Sequence, residues 1–374
     1  MVGNKYNFCI NIIYMTKNAY IHIPFCKSRC KYCSFVSDTR TELKSKYIET
    51  LIKEIQLKYK SEKLETLYFG GGTPSLLTST EFDRIIKLFN FEPYAEITAE
   101  LNPETISAEY LENLKDAGIN RLSFGCQTFN NNILKKIGRR HNCTDVKNSI
   151  KFAKECGFKN ISLDLIYGLP NQTLDEFKKD LLQAVDLDIE HISLYGLKID
   201  EGCYFYKNPP LNIPDNDTQA DMYLIAIKIL ENFGFFHYEI SNFSKTNMES
   251  RHNLNYWNNN TYYGFGAGAH GYENGIRYNN TENISEYIKN PNSQTHFHKL
   301  SKQEQLEEEI FLGFRKSEGI NILTIEKNFD INFDKKYNYI LKKYSDYIEK
   351  TKLGYRLNNN GFLISNNILS EFLE

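Results

Sequence analysis

The sequence predicts an α/β fold: an incomplete (β/α)6 barrel followed by a small, helical C-terminal domain that resembles a winged helix. Over residues 19–202, six short apolar runs alternate with amphipathic helical patterns. Such alternation indicates parallel strands joined by right-handed crossovers, and six units rather than eight indicate an incomplete barrel. Residues 1–18 precede the barrel as an extension, residues 203–298 form a connecting region, and residues 299–374 form the C-terminal domain.

The barrel elements follow in order along the chain. The predicted strands are Ala19–Ile23, Thr66–Phe69, Glu96–Leu101, Arg121–Cys126, Asn160–Ile166 and His191–Tyr195. Between the first two, Leu43, Tyr47, Leu51 and Ile55 repeat every four residues and form one apolar helical stripe. Two helices are expected to begin at capping boxes, Thr78 with Glu81 and Thr173 with Glu176. Gly118 and Gly157 stand where helix C-caps belong.

Beyond Gly202 the pattern changes. Helices are expected at Asp217–Phe233, Gln303–Lys316 and Tyr337–Lys350, and the segment Tyr238–Gly271 is rich in Asn, Tyr and Gly. Tyr355–Leu357, a turn at Asn358–Gly361 and Leu363–Leu373 complete the C-terminal domain. Because this domain has no basic recognition helix, we interpret it as a packing or partner module.

Composition narrows the class of protein. The chain has 374 residues, of which 41% are hydrophobic and 25% are charged, and this composition is typical of a globular protein. A net charge of −2 does not indicate a basic surface for nucleic acid. No run reaches the ~20 apolar residues that span a bilayer. Three of the eight cysteines are clustered, which favours a metal site in the reducing cytoplasm over a disulfide scaffold. The first fourteen residues lack the features of a signal peptide and are expected to be poorly ordered.

The clustered cysteines are Cys26, Cys30 and Cys33, in a loop directly after the first strand. Three thiolates can hold three irons of a 4Fe-4S cluster, and the fourth iron can then bind the amine and carboxylate of S-adenosylmethionine (SAM). One electron from the cluster would convert SAM into methionine and a 5′-deoxyadenosyl radical. The alternative is a zinc site with His22 as fourth ligand, although His22 lies on a strand with poor geometry for closing on that loop.

Glycines and polar residues follow several other strands. Gly70, Gly71 and Gly72 let the backbone approach a ligand, and Gly72→Val is expected to abolish SAM binding while sparing the cluster. The remaining strand-end candidates are Thr73, Glu100, Gln127 and Asp164, with either Arg139 or Arg140 offering a guanidinium to a carboxylate. Each residue alone could be a structural polar group or a solvated charge, and the Gly run alone could be a turn.

Together these residues resemble the radical-SAM proteins related to oxygen-independent coproporphyrinogen III oxidase. The matching segments are IHIPFCKSRCKYCSF, GGGTPS, RLSFGCQTFN, DLIYGLPNQT and HISLYGL. The resemblance implies that Tyr20, Gly71 and Glu100 contact cluster-bound SAM. It also implies that an adjoining pocket, which holds a second SAM in the oxidase, is lined by Tyr32, Gly72, Thr73, Gln127, Arg139 and Asp164.

Within this group the chain looks like the HemW-type heme chaperones. Where the oxidase motif has a fourth cysteine, this chain has Phe35, and only eighteen residues precede Ala19. The segment RHNLNYW resembles the HNxxYW signature of the chaperones. On that resemblance His252 offers an imidazole to heme iron, and Tyr256 and Trp257 pack against the macrocycle. His270 is interpreted as a loop histidine rather than a second ligand.

The resemblance therefore implies a cytoplasmic heme chaperone in porphyrin metabolism that carries a 4Fe-4S cluster and SAM. Its expected partners are heme, a heme-accepting protein and an electron donor for the cluster. Two alternatives stay open from the residues: a radical-SAM enzyme acting on a tetrapyrrole, such as the oxidase, and a zinc-stabilised binding module.

Overall fold

A computed structural model describes residues 15–292 and 294–373 of the chain. Of the expected N-terminal extension, residues 1–14 lie outside the described residues, and so does the run Phe8–Tyr14. Asn18, the last residue of that extension, already begins the first strand.

Six parallel strands lie side by side in chain order and form the body of one nine-stranded sheet. They are β1 (Asn18–Ile23), β2 (Lys63–Gly71), β3 (Asn90–Leu101), β4 (Arg121–Gln127), β5 (Ile161–Tyr167) and β6 (His191–Gly196). Each coincides with one predicted apolar run, although β2 and β3 begin earlier than their runs. All residues of β4 are buried, as expected for a parallel strand covered on both faces. The incomplete (β/α)6 barrel is thus confirmed.

Helices connect these strands on the outside of the sheet. They are α1 (Lys44–Lys58), α2 (Ser79–Ile86), α3 (Ala108–Asp116), α4 (Asn131–Lys136), α5 (Cys143–Glu155) and α6 (Leu174–Asp186), with 3-10 turns at Thr41–Leu43, Pro74–Leu76 and Pro103–Thr105. Both predicted capping boxes are present at α2 and α6, with each N-cap hydroxyl and each glutamate satisfying a backbone N–H.

The sheet is extended at both edges by strands from the connecting region. A hairpin of β7 (Phe236–Glu239) and β8 (Asn242–Ser244) pairs antiparallel with β6, and β9 (Tyr263–Phe265) pairs parallel with β1. Three helices belong to this region: α7 (Tyr204–Lys207), α8 (Asn216–Asn232) and α9 (Arg251–Trp257). The helix predicted at Asp217–Phe233 is α8, shifted by one residue.

A second, three-stranded antiparallel sheet follows, with order β10-β11-β12. Its elements are β10 (His270–Glu273), β11 (Ile276–Asn280), α10 (Ile284–Lys289) and β12 (Gln294–Lys299). The sequence pattern did not predict these strands, because each is too short to show a clear alternation of apolar and polar residues.

The C-terminal domain combines short helices with a three-stranded sheet of order β13-β15-β14. Its elements are α11 (Lys302–Gly313), β13 (Ile320–Asn321), α12 (Ile322–Phe329), α13 (Phe333–Lys336), α14 (Asn338–Lys343), β14 (Ile348–Lys350), β15 (Gly354–Leu357), α15 (Asn359–Leu363) and α16 (Ser365–Ser370).

Two predictions for this domain are wrong in detail. The helix expected over Tyr337–Lys350 ends at Lys343, and its last residues form β14 instead. The turn expected at Asn358–Gly361 is instead the start of α15, which Asn358 caps, because its side chain accepts a hydrogen bond from the Gly361 N–H at 2.8 Å. The hairpin is made by β14 and β15.

The C-terminal domain packs on the hairpin at the sheet edge. The backbone N–H of Ile240 donates to the carbonyl of Arg315 at 2.9 Å, and Ser317 N–H donates to the carbonyl of Tyr238 at 3.0 Å. One apolar core runs through both units. None of the helices over residues 15–292 and 294–373 is long and apolar enough to cross a membrane.

Candidate functional site

The three clustered cysteines lie in the loop after β1, at the edge of the sheet where the parallel strands end. Cys26 is buried, Cys30 and Cys33 are half-buried, and all three are free thiols. The loop is pinned at both ends of this cluster. Cys26 N–H donates to the carbonyl of Asp38 at 3.0 Å, and Cys33 N–H donates to the carbonyl of Cys30 at 3.2 Å. The backbone therefore holds the three sulfurs in one small region.

Two side chains donate hydrogen bonds to these sulfurs. Thr73 Oγ1 lies 3.4 Å from Cys26 Sγ, and Arg139 Nη1 lies 3.6 Å from Cys30 Sγ. Burial raises the pKa of Cys26 and raises that of Cys33 to about 11, so these two thiols are protonated at neutral pH. Donors that point at sulfur stabilise thiolates, and iron would supply the remaining charge. The donor set thus fits three-thiolate ligation of an iron–sulfur cluster.

His22 is not available as a fourth, zinc-binding ligand in this arrangement. Its Nε2 lies 2.8 Å from the carbonyl oxygen of Val36, and its Nδ1 lies 3.0 Å from the hydroxyl of Tyr20. The ring is buried, and burial lowers its pKa to about 4. Over the described ranges, no group of three or more His, Cys, Asp or Glu side chains is arranged to hold a single metal ion.

A cavity of about 570 Å³ lies between the cysteine loop and the strand ends. With one exception, the residues expected to hold the cluster and SAM line this cavity: Cys26, Cys30, Tyr32, Cys33, Gly71, Gly72, Thr73, Glu100, Gln127, Arg139 and Asp164. The exception is Tyr20, which lies on a neighbouring groove and stacks on Tyr68 at 6.1 Å between ring centroids. Residues from five strands therefore converge on one space, as the strand-end argument requires.

Gly71 and Gly72 pack tightly against β1 and the cysteine loop. Gly71 has a φ of +116°, and a Cβ there would lie 2.6 Å from the His22 ring. At Gly72 a Cβ would lie 2.9 Å from the carbonyl oxygen of Phe25 and 3.0 Å from Cys26 Sγ. Gly72→Val would thus displace the loop that carries the cysteines. We therefore expect this variant to disturb the cluster as well as SAM binding.

Glu100 is a half-buried carboxylate at the end of β3 that faces the cavity. It accepts hydrogen bonds from the Tyr68 hydroxyl at 2.9 Å and from the Gly71 N–H at 3.2 Å. Burial, reinforced by the nearby Asp164 carboxylate, raises its pKa to about 7. A carboxylate in this state is well suited to a cationic ligand, because an ammonium would relieve both its desolvation and its repulsion from Asp164.

Gln127 and Arg139 are placed by local backbone irregularity. Gln127 has a φ of 71° and follows a break in the register of β4 at Gly125, so the bulge turns its side chain into the cavity. The Arg139 guanidinium crosses behind it and donates to the Gly125 carbonyl at 2.6 Å and to Asn102 Oδ1 at 2.9 Å. Arg139 therefore faces the site, whereas Arg140 is exposed.

Ser123, Ser193 and Arg121 are among the cavity residues that were not expected from the sequence. Ser123 Oγ donates a hydrogen bond to the expected Asp164 at 3.0 Å, and Ser193 lies beside that carboxylate. Arg121 is 2% exposed and lines the same space, and its Nε finds no hydrogen-bond partner among the described residues. An arginine at the start of an apolar run was the available signal, because a buried guanidinium needs an anionic or polar partner.

The segment resembling HNxxYW forms helix α9, and Glu96 anchors its first turn. The Glu96 carboxylate accepts from the backbone N–H of Arg251 at 3.0 Å and from that of His252 at 3.1 Å. These bonds satisfy the free N–H groups at the helix start. Because Glu96 lies on β3, the helix is fixed directly over the sheet.

His252 is on the buried face of this helix, and both its ring nitrogens are hydrogen-bonded. Its Nδ1 lies 2.7 Å from Thr66 Oγ1, whose hydroxyl hydrogen is donated to Asn18. Nδ1 therefore carries the proton, and Nε2 accepts a hydrogen bond from the Tyr256 hydroxyl at 2.9 Å. The residue is 1% exposed. An axial bond from His252 to heme iron would require this pair to break, so the arrangement does not support the ligand role expected from the sequence.

A second, larger space of about 1250 Å³ opens beside the cluster cavity. Tyr256 and Trp257 of α9 line it, together with residues of β10, β12 and α11. The two spaces share wall residues, namely Ser34, Phe35, Tyr195, Ser241 and Asn253. We call the larger space the aromatic groove. Its size exceeds that of most small-molecule pockets, roughly 300–1,000 Å³.

Comparisons with known proteins agree with this geometry. Residues 20–184 match the model of the Radical SAM superfamily, and residues 300–364 match that of the HemN C-terminal domain. The heme chaperone HemW of Lactococcus lactis subsp. lactis (strain IL1403) is 39% identical over 370 residues, covering 95% of this chain and 97% of that protein. HemW of Bacillus subtilis (strain 168) is also 39% identical, over 96% of this chain and 99% of that protein.

Among solved structures, the coproporphyrinogen III oxidase HemN of Escherichia coli, a radical SAM enzyme, has a TM-score of 0.83. It is 22% identical, and the match covers 95% of this chain and 89% of that one. This likeness concerns the fold: the same barrel carries the same kind of C-terminal domain. On the sequence relationships above, the chain belongs to the HemW family of heme chaperones, within the radical SAM superfamily.

Proposed function

We propose that this chain is a heme chaperone that binds a 4Fe-4S cluster, SAM and heme, and passes the heme to an acceptor protein. The observation that carries the proposal is the junction of two spaces. The thiol-lined cavity opens, past Phe35 and Tyr195, into an aromatic groove large enough for a macrocycle. Cofactors and cargo would thus lie side by side.

Cys26, Cys30 and Cys33 would hold the cluster, and SAM would complete its coordination. When bound, the cluster would supply an electron to the sulfonium of SAM. Glu100 would accept hydrogen bonds from the SAM ammonium, and the Gly71–Gly72 backbone lies beside it. The wall formed by Gln127, Arg139 and Asp164 would meet the rest of the ligand.

An electron donor must reach the cluster from the solvent side. Lys27 and Arg29 are exposed on the cysteine loop, and residues 25–36 contain no Asp or Glu. This segment is cationic although the whole chain has a net charge of −2. A one-electron carrier protein with an acidic surface would complement this segment.

Tyr256 and Trp257 would pack against the macrocycle from the groove wall. His252 would act behind them as a positioning residue, because its Nε2 fixes the Tyr256 hydroxyl. Phe35 stands where the oxidase motif has its fourth cysteine, and it is 67% exposed at the junction of the two spaces. That position offers an apolar contact rather than a thiol, which suits a bound cargo better than oxidase chemistry.

The proposal can be tested by offering the reconstituted protein both tetrapyrroles under anaerobic conditions. Hemin titration should give a shifted, saturable Soret band. Incubation with SAM, dithionite and coproporphyrinogen III should give no protoporphyrinogen IX by chromatography, because Phe35 stands where the oxidase motif has its fourth cysteine. Robust conversion of coproporphyrinogen III would replace the chaperone with an enzyme.

A further inference from the structure

We propose that His270, at the start of β10, is the axial ligand of heme iron in the aromatic groove. The inference rests on the heme-binding function proposed above and assigns the residue that would hold the cargo. His252, which sequence resemblance favours, is buried with its Nε2 lone pair already used by Tyr256. A ligand is therefore needed elsewhere on the groove.

Three histidines line the groove: His22, His270 and His298. His22 is buried, and both its ring nitrogens are engaged by Tyr20 and Val36. The His298 Nε2 pairs with the Glu304 carboxylate at 2.7 Å. In the described part of the chain, the ring of His270 forms no hydrogen bond, and the side chain is exposed to the groove. It alone of the three can meet iron without losing an existing partner.

The charge state of His270 suits this role. Partial burial lowers the pKa of its imidazole, and the neighbouring Arg277 and His296 lower it further, against an opposing effect of Glu282. The ring is therefore neutral at pH 7. A neutral imidazole has a free lone pair, which is the form that binds heme iron.

The backbone that carries His270 is rigid. Within the hairpin, His270 pairs with Asn279, and the Asn280 N–H donates to the carbonyl of Ala269 at 2.9 Å. Gly264 packs so closely on the His270 carbonyl that a Cβ there would lie 1.9 Å from its oxygen. A ligand held on a fixed strand end is pre-organised, so little conformational entropy is lost when iron binds.

The groove also offers a cation for the propionate groups of heme. Arg315 lines it and lies over the Phe311 ring at 4.7 Å, and its Nη2 donates to the uncharged Asn366 Oδ1 at 2.7 Å. Arg277, by contrast, is already held by two bonds to the Glu308 carboxylate. A propionate would give the Arg315 guanidinium an anionic partner.

The test is an anaerobic hemin titration of the full-length, reconstituted protein and of single-histidine variants. His270→Ala should weaken heme binding roughly tenfold or more, as loss of groups around a metal typically does, and should change the coordination spectrum. His252→Ala, which frees the Tyr256 hydroxyl, should weaken binding but keep the wild-type coordination spectrum. His296→Ala, an exposed neighbour on β12 that does not line the groove, is the matched control.

A rescue experiment separates ligation from folding. In His270→Gly, added imidazole should restore the wild-type absorption spectrum, whereas a merely structural role for His270 would give no rescue. If His270→Ala binds heme as the wild type does and His252→Ala does not, the assignment is overturned. If the wild-type protein binds no heme, the proposed function fails and the assignment fails with it. The wild-type titration therefore distinguishes failure of the function from failure of the His270 assignment alone.

Discussion

Cys30→Ala is expected to abolish the iron–sulfur cluster. Three-cysteine ligation of a 4Fe-4S cluster corresponds to about four irons per chain in the reconstituted wild type, and the variant should retain almost none. The Arg139 guanidinium, whose Nη1 lies 3.6 Å from the Cys30 sulfur, is a hydrogen-bond donor and cannot replace it as an iron ligand. Iron analysis and the charge-transfer absorbance of the cluster measure the effect.

Cys143→Ala is the matched control for this variant. Cys143 is also a half-buried free thiol, but it begins α5 and does not line the cavity. Its removal should leave iron content unchanged. Stoichiometric zinc uptake by the wild type, with no iron, would contradict the cluster assignment.

Glu100→Gln is expected to weaken SAM binding roughly ten- to a hundredfold while leaving the cluster intact. A hydrogen bond to a charged group is worth about 1.5–3 kcal/mol, and each 1.4 kcal/mol is a tenfold change in affinity. Tyr68 and the Gly71 N–H donate to different carboxylate oxygens of Glu100. In the variant the amide oxygen can accept from the Gly71 N–H while the amide NH2 donates to the Tyr68 hydroxyl, so the local structure should persist. Equilibrium dialysis with labelled SAM measures the loss, and Glu92→Gln, at the opposite end of β3, is the control.

The same carboxylate makes SAM binding pH-dependent. The pKa of Glu100 is raised to about 7, so the group becomes protonated as the pH falls below 7 and then cannot accept an ammonium as a carboxylate. Affinity should therefore rise by roughly tenfold between pH 6 and pH 8, in proportion to the ionised fraction. Glu100→Gln should remove most of that rise. An equal pH dependence in the variant would show that another group is responsible.

The barrel and its cofactor cavity were largely predictable from the sequence. Parallel strands end at one edge, so residues that follow different strands, such as Glu100, Gln127 and Asp164, had to approach one another. Tyr20 departs from this pattern and faces the groove. Arg121 was missed because it begins its strand rather than following it.

The connecting region was less predictable, because its structure depends on contacts between distant residues. Strands β7 to β12 are short and are defined by pairing rather than by composition. The position of His252 on α9 depends on Glu96 of β3 and Thr66 of β2. Nothing near His252 in the sequence indicates that its ring is turned inward, away from the groove that Tyr256 lines.

The most direct measurement of chaperone function is whether heme is held and then returned unchanged. The reconstituted protein would be loaded anaerobically with hemin, passed through a gel-filtration column, and mixed with apomyoglobin as the acceptor. We expect close to one heme per chain to co-elute with the protein and then to appear in myoglobin with its mass unaltered. Failure to retain heme on the column, or conversion of the heme to another tetrapyrrole before release, would contradict the heme-chaperone function.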